Sequence, residues 1–199
     1  MSKQPRNIPT DRQLVAQVLG GDTPAFGEII SMTEGLVAHI VCRLISNEED
    51  RKDIVQDIYL KVFHHLKGFR FQSKLSTWVA QIAYNACSSH LQKKRLPLHV
   101  LPDGEGAGPG SGRPNTIRAA EETDGSILQK ELTGILQAEI GQLPPLYQTL
   151  VSLYHQEELS YQEMAQITGL PEGTVKSYLF RARKMLKEKL LSKYKMEKL

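Results

Sequence analysis

Hydroxyl and cationic side chains recur between residues 172 and 187 at spacings that suit a groove in nucleic acid: Thr174, Lys176, Ser177, Arg181, Arg183, Lys184 and Lys187, with Phe180 among them. On one helix, threonine, serine, lysine and arginine in the first turns can address base edges in a major groove, while later basic residues reach phosphates. Acidic residues gather elsewhere: Asp53, Gln56 and Asp57 fall on the polar side of a helical pattern in the N-terminal half. Carboxylates one turn apart offer a negative stripe to a basic partner helix. The other chemistry-bearing residues form no constellation. His39, His64, His65, His90, His99 and His155 stand at no ligand spacing with a carboxylate or cysteine, and Cys42 and Cys87 form no CxxC pair. Both cysteines fall on apolar sides of helical patterns and read as reduced core residues. No catalytic residue, metal site or cofactor is expected.

The basic residues need a platform, and the stretch from Ser160 to Leu190 supplies one. Ser160 with Glu163 three residues on is a capping box that starts a helix. Met164, Ala165 and Ile167 give that helix an apolar side, and Gly169 provides the backbone freedom to end it. After Pro171, which suits a helix start, Val175, Tyr178, Leu179, Ala182 and Leu186 recur at three and four residues. The result is a helix-turn-helix with a basic second helix. The same pattern also fits a helical hairpin whose lysines and arginines only form a solvated face.

The chain has 199 residues and a formal charge of +3, so a nucleic-acid surface must come from local clustering. Cations concentrate at Gln92 to Arg95 and from Lys176 to Lys198, acids at Glu48 to Asp57 and Glu121 to Asp124. The periodicities predict an all-α protein built of two small domains. In the first, residues 10–96, Thr10 opens a helix with Leu14, Val15, Val18 and Leu19 inward, ended by Gly20-Gly21. Thr23 is expected to cap the next, whose stripe is Phe26, Ile29, Ile30, Val37, Ile40, Val41 and Leu44. A third, about Asp50 to Leu66, turns Ile54, Val55, Ile58, Val62, Phe63 and Leu66 inward. A fourth buries Leu75, Trp78, Val79, Ile82, Ala83, Ala86 and Leu91 and ends in Lys93, Lys94 and Arg95.

Residues 97–125 are rich in proline, glycine and acids and read as a flexible linker. The second domain, residues 126–195, holds a helix with Ile127, Leu128, Leu132, Ile135, Leu136, Ile140 and Leu143, a break at Pro144-Pro145, another helix, and the helix-turn-helix. No signal core is present, and no run matches the roughly eighteen apolar residues of a membrane span. A cytoplasmic protein without direct membrane insertion is expected.

Three blocks in order now coincide: LVAQVLGGDTPAFGEII; DRKDIVQDIYLKVFHHLKGFR with FQSKLSTWVAQIAYNACSSHLQKKR; and LPPLYQTLVSLYHQEELSYQEMAQITGLPEGTVKSYLFRARKMLKEKL. Together they resemble the extracytoplasmic-function sigma factors, the minimal two-domain class of bacterial RNA polymerase specificity subunits. The resemblance implies a sigma factor that binds core polymerase and the −10 and −35 promoter elements. By position, Asp50, Asp53, Gln56 and Asp57 correspond to the surface that grips the clamp helices of the largest subunit. The loop from Phe69 to Ser76 and the helix after it correspond to the element that melts the −10 region. Holding a flipped base there requires aromatic and polar groups beside cations, which names Phe71, Lys74, Ser76, Asn85, Lys93, Lys94 and Arg95. The −35 readout falls on Glu172, Thr174, Lys176, Ser177, Arg181, Arg183 and Lys184, with the polymerase flap as a further partner of this domain. Two places depart from the family: Ser89 and Gln92 replace an acid and part of an arginine-rich run, and Tyr178 stands where an arginine is common.

The linker fits the resemblance only under tension. Promoter elements about 25 base pairs apart lie roughly 80 Å from each other. Roughly 28 residues reach about 95 Å fully extended but about 30 Å as a free coil. Another surface, in the family the polymerase, must hold the linker stretched, and Asp103, Glu105, Glu121, Glu122 and Asp124 suit a channel built for RNA phosphates. No sensory domain is expected past Leu199, so control is expected from outside, and the resemblance implies an anti-sigma factor as its source. The competing reading is a helix-turn-helix regulator that does not join polymerase, and it leaves the acidic stripe and the aromatic loop without a purpose.

Overall fold

Side-chain caps decide where the helices begin. The computed structural model describes residues 10–95 and 126–195, which fold as α1 (Asp11–Leu19), α2 (Thr23–Leu44), α3 (Glu48–His65), a 3-10 turn (Leu66–Gly68), α4 (Leu75–Arg95), α5 (Ser126–Ile140), α6 (Pro145–His155), α7 (Tyr161–Thr168) and α8 (Glu172–Lys195). The fold is all-α, and no strand occurs among the described residues. Thr10 and Gln13 form a capping box at α1, and Asn47 accepts from the N–H groups of Glu49 and Asp50 at α3. A cap of this kind contributes about 1 kcal/mol. Thr23 is not the cap of α2: Asp22 holds the Ala25 N–H at 3.3 Å, which leaves Thr23 and Pro24 inside the first turn. The expected linker, with its acids at 103, 105, 121, 122 and 124, lies outside the described residues.

α2 is the axis of packing. It meets α1, α3 and α4 within its own half and α6 of the other half. Ala25, Ile29, Thr33, Leu36, Val37, Ile40 and Val41 are buried along it, and Thr33 Oγ1 returns a hydrogen bond to the Ile29 carbonyl at 2.7 Å. By length and apolar content α2 could cross a membrane, contrary to the sequence reading. Here its stripe is core, while Glu28 and Glu34 stay exposed.

Several residues placed inward by periodicity are outside. Leu19, Phe63 and Leu136 are about half exposed. Successive helical residues turn by about 100°, so Phe63 sits past the edge of the Ile54, Ile58, Val62 stripe and rests edge-on against Phe26 at 5.1 Å. Cys42 is exposed for the same reason, one step beyond buried Val41, whereas Cys87 is buried and its thiol is pushed up to about 12. Trp78 is only half-buried, with its ring 5.1 Å from Phe69.

In the C-terminal half, Leu150, Leu153, Met164, Ile167, Val175, Leu179 and Ala182 are fully buried where α6, α7 and α8 converge. Gln148 Nε2 donates to the Gly141 and Leu143 carbonyls, which secures the turn before α6. Lys193 pairs with Glu139 at 2.7 Å and fixes the far end of α8 to α5. Leu179 is 1% exposed and its neighbour Phe180 is 70% exposed. Leu179→Ala should therefore cost about 2–5 kcal/mol in urea unfolding, whereas Phe180→Ala should stay within about 0.5 kcal/mol of the parent. Similar losses for the two would contradict the orientation of α8.

Candidate nucleic-acid interface

The helix-turn-helix forms as its local chemistry requires. Ser160 donates from N–H and hydroxyl to Glu163 Oε2 at 2.9 and 2.7 Å, and the Glu163 N–H returns to Ser160 Oγ at 3.2 Å. Gly169 ends α7 at φ +71°, in the left-handed region that glycine enters without cost. Val175, Leu179, Ala182 and Leu186 face the core, so Ser177, Phe180, Arg181 and Lys184 hold the outermost line of α8.

The other −35 candidates split from that line. Lys176 pairs with Glu172 at 2.7 Å and lies 5.3 Å above the Tyr161 ring, and Arg183 lies 4.7 Å above Tyr154. These cations are held by aromatic faces of α7 and α6 respectively. Thr174 is half-buried. Tyr178, in the place of a common arginine, packs into the seam between α6 and α8, 5.4 Å from Tyr147. It is a packing residue. Phe180, noted beside the groove-facing residues but not among the −35 readout residues, occupies the most exposed apolar position on α8, three from Ser177 and four from Lys184.

The loop before α4 is an aromatic turn. Phe69 is buried, and Phe71, at φ +57°, stands 4.7 Å from it and is 38% exposed. Lys74 is exposed, Ser76 is half-buried and Asn85 and Lys93 are exposed further along α4; the side chains of Lys94 and Arg95 lie outside the described part. Two residues of α1 that sequence reasoning missed reach this loop. Asp11 Oδ2 accepts the Leu75 N–H at 2.8 Å, and the Arg12 guanidinium lies 5.2 Å above Phe71. Only proximity in the fold reveals them, since they precede Leu75 by more than sixty positions.

On α3, Asp53, Gln56 and Asp57 are exposed together and Leu60, 52% exposed, extends their line. Asp50 does not share that openness. It is half-buried, 3.5 Å from His90 Nε2 on α4.

The two halves touch through the same elements that carry the candidate sites. α4 packs on α7 and α2 on α6. His39 meets Glu157, and Arg43 donates to Gln137 Oε1 at 2.9 Å. Lys74 Nζ reaches Glu163 Oε1 at 2.8 Å. Glu163 thus divides its oxygens, one to the cap of α7 and one to the loop of the other half. Lys74 first, then the Ser160 N–H and hydroxyl, hold the Glu163 carboxyl down to about 2 against the opposing effect of burial.

With this geometry in place, the comparisons converge. Sigma-70 region 2 matches residues 29–96 and Sigma-70, region 4 matches residues 133–186. The ECF RNA polymerase sigma-E factor of Haemophilus influenzae is 33% identical over 185 residues, covering 91% of this chain and 95% of that protein. ECF RNA polymerase sigma factor SigW of Bacillus subtilis is 28% identical over 184 residues, covering 90% and 96%. Among solved structures, CnrH in complex with the cytosolic domain of CnrY superposes with a TM-score of 0.62 at 21% identity, covering 92% of this chain and 97% of that one. The sigma factor RpoE in complex with the anti-sigma factor NepR from Bartonella quintana gives 0.57 at 24%, covering 82% and 94%.

Because the Glu163 carboxyl is depressed in the folded state, its contribution is complete above the ordinary carboxylate range and is lost as pH falls toward about 2. Gln at this position keeps a capping box but removes the charge facing Lys74. The stability difference between the parent and Glu163→Gln, from urea unfolding at successive pH values, should hold steady near neutrality and shrink below about pH 4.5. A constant difference down to pH 3 would contradict it.

Proposed function

The chain belongs to the extracytoplasmic-function sigma factors of the sigma-70 family, and from that premise we propose how its surfaces divide the start of transcription. As such a factor it directs promoter-specific initiation, joining core RNA polymerase and addressing the −10 and −35 elements. Its work is binding, with no catalytic step assigned to it. The observation that carries the assignment of surfaces is that the exposed acidic line, the aromatic loop and the basic helix-turn-helix occupy separate elements of one chain, in the order of the two matched regions.

In this reading residues 10–96 form the polymerase-binding and −10 unit, 97–125 the connector and 126–195 the −35 unit. Asp53, Gln56 and Asp57, with Leu60 extending them, form the face for the clamp helices, where separated negative charges steer a basic partner and an apolar residue adds buried area. Asp50 serves this face from its place beside His90. Phe71, Lys74, Ser76 and Asn85, continued by the basic end of α4, hold the unpaired −10 strand through stacking and phosphate attraction. Ser177, Phe180, Arg181 and Lys184 enter the major groove at −35, where Phe180 suits a thymine methyl and Arg181 a guanine edge. Lys176 and Arg183, set beside the tyrosines of α6 and α7, meet phosphates.

Binding both elements requires the halves to part. The elements lie roughly 80 Å apart, whereas Lys74 of one half and Glu163 of the other are in contact. An anti-sigma factor is the expected controlling partner, and the cytoplasm, where polymerase works, the expected location.

Run-off transcription on a pool of genomic promoter fragments, with core polymerase and with or without this protein, tests the reading. Discrete new transcripts are expected; DNA binding without transcripts and without association with core polymerase would instead indicate a conventional helix-turn-helix regulator. In the same system, Asp53→Lys with Asp57→Lys should abolish co-elution with core polymerase while leaving the unfolding midpoint near the parent value. Arg181→Ala should weaken −35 duplex binding by about 1–3 kcal/mol and leave co-elution intact. Joint loss of both activities in either variant would mean the surfaces are not separable.

A further inference from the structure

α1 lies before both matched regions, the first of which begins at residue 29. A helix of nine residues has little stability of its own, and burial of Leu14, Val15 and Val18 fixes it to the rest of the half. Its first two residues then do something that core packing does not require. Asp11 Oδ2 takes the Leu75 N–H at 2.8 Å, so a carboxylate from a distant helix caps α4, where an anion is favoured by the unpaired donors of a helix start. Arg12 places its guanidinium 5.2 Å from the Phe71 ring centre. Adjacent side chains of α1 therefore hold the far end and the middle of a single loop.

That loop needs holding. Phe71 is at φ +57°, a conformation that side chains other than glycine adopt only when their surroundings enforce it. Phe69, itself against Trp78, stands 4.7 Å from the Phe71 ring, and Phe71 remains 38% exposed.

We propose that α1 is a brace for promoter opening, in which Asp11 and Arg12 are positioning residues that preset the Phe71 loop for an unpaired base. The proposal rests on the assignment of that loop to the −10 strand. A factor that opens DNA without fuel must bind the unpaired strand better than the duplex, and a loop already ordered spends none of that difference on its own immobilisation. Arg12 acts as a cation over the Phe71 ring while the exposed part of Phe71 receives the base, so its charge as well as its bulk matters.

The experiment uses holoenzyme assembled on core polymerase and a fluorescent single-stranded oligonucleotide carrying the non-template −10 sequence read from the run-off transcripts. Arg12→Ala and Asp11→Ala should each weaken binding of this oligonucleotide about tenfold, and Arg12→Lys should recover most of the loss. Core association and −35 duplex binding should stay near the parent values, and the unfolding midpoint should be parental for Arg12→Ala and lowered for Asp11→Ala only by the few degrees that one helix cap supplies. Phe71→Ala is measured alongside. Weak binding by Phe71→Ala with parental binding by Arg12→Ala and Asp11→Ala would overturn the brace and leave the loop assignment standing. Parental binding by Phe71→Ala would overturn the loop assignment and the brace with it. Loss of core association or a large drop in midpoint in the α1 variants, or no recovery with Arg12→Lys, would reduce α1 to a structural element and overturn the proposal.

Discussion

Burial of the apolar stripe of α2 is the constraint on which the rest of the structure depends. A helix carrying Ile29, Leu36, Val37, Ile40 and Val41 leaves that surface in water only at a cost, and α1, α3, α4 and, where the halves touch, α6 cover it. Each partner is thereby oriented with its opposite face outward. α3 shows Asp53, Gln56, Asp57 and Leu60 because Ile54, Ile58 and Val62 are turned in. α4 presents Asn85 and Lys93 because Val79, Ala83 and Cys87 are turned in. The candidate surfaces are what remains once the hydrophobic effect has chosen the inward faces.

The C-terminal half follows the same logic with a tighter local code. The capping box, the left-handed Gly169 and the stripe from Val175 to Leu186 place α8 so that Ser177, Phe180, Arg181 and Lys184 project into solvent. The tyrosines at 147, 154, 161 and 178 do what aliphatic residues could not: their rings fill seams between helices while their faces hold Lys176 and Arg183. Cations held in this way lose less freedom when they meet a phosphate than free ones would.

Helix identity, the helix-turn-helix and the existence of an acidic face were legible in the sequence, because each rests on interactions within four residues or on periodicity. Edges of stripes were not: Leu19, Phe63, Cys42 and Leu136 were placed inward, and the first three lie one residue's rotation from a buried neighbour, an angle that periodicity does not resolve. The cap of α2 was missed because Asp22 and Thr23 are both good caps and only the backbone chooses between them. The contacts of Asp11 and Arg12 with the loop, of Asp50 with His90, and of the two halves with each other join residues far apart in sequence, so no local pattern announces them.

The division of labour within Glu163 bears on what must break for the chain to change shape. One carboxylate oxygen completes the cap of α7 and the other meets Lys74. Breaking the second contact leaves the first in place, so the halves can come apart without any turn of the helix-turn-helix unravelling. The helix-turn-helix therefore keeps its own cap whether or not the halves touch.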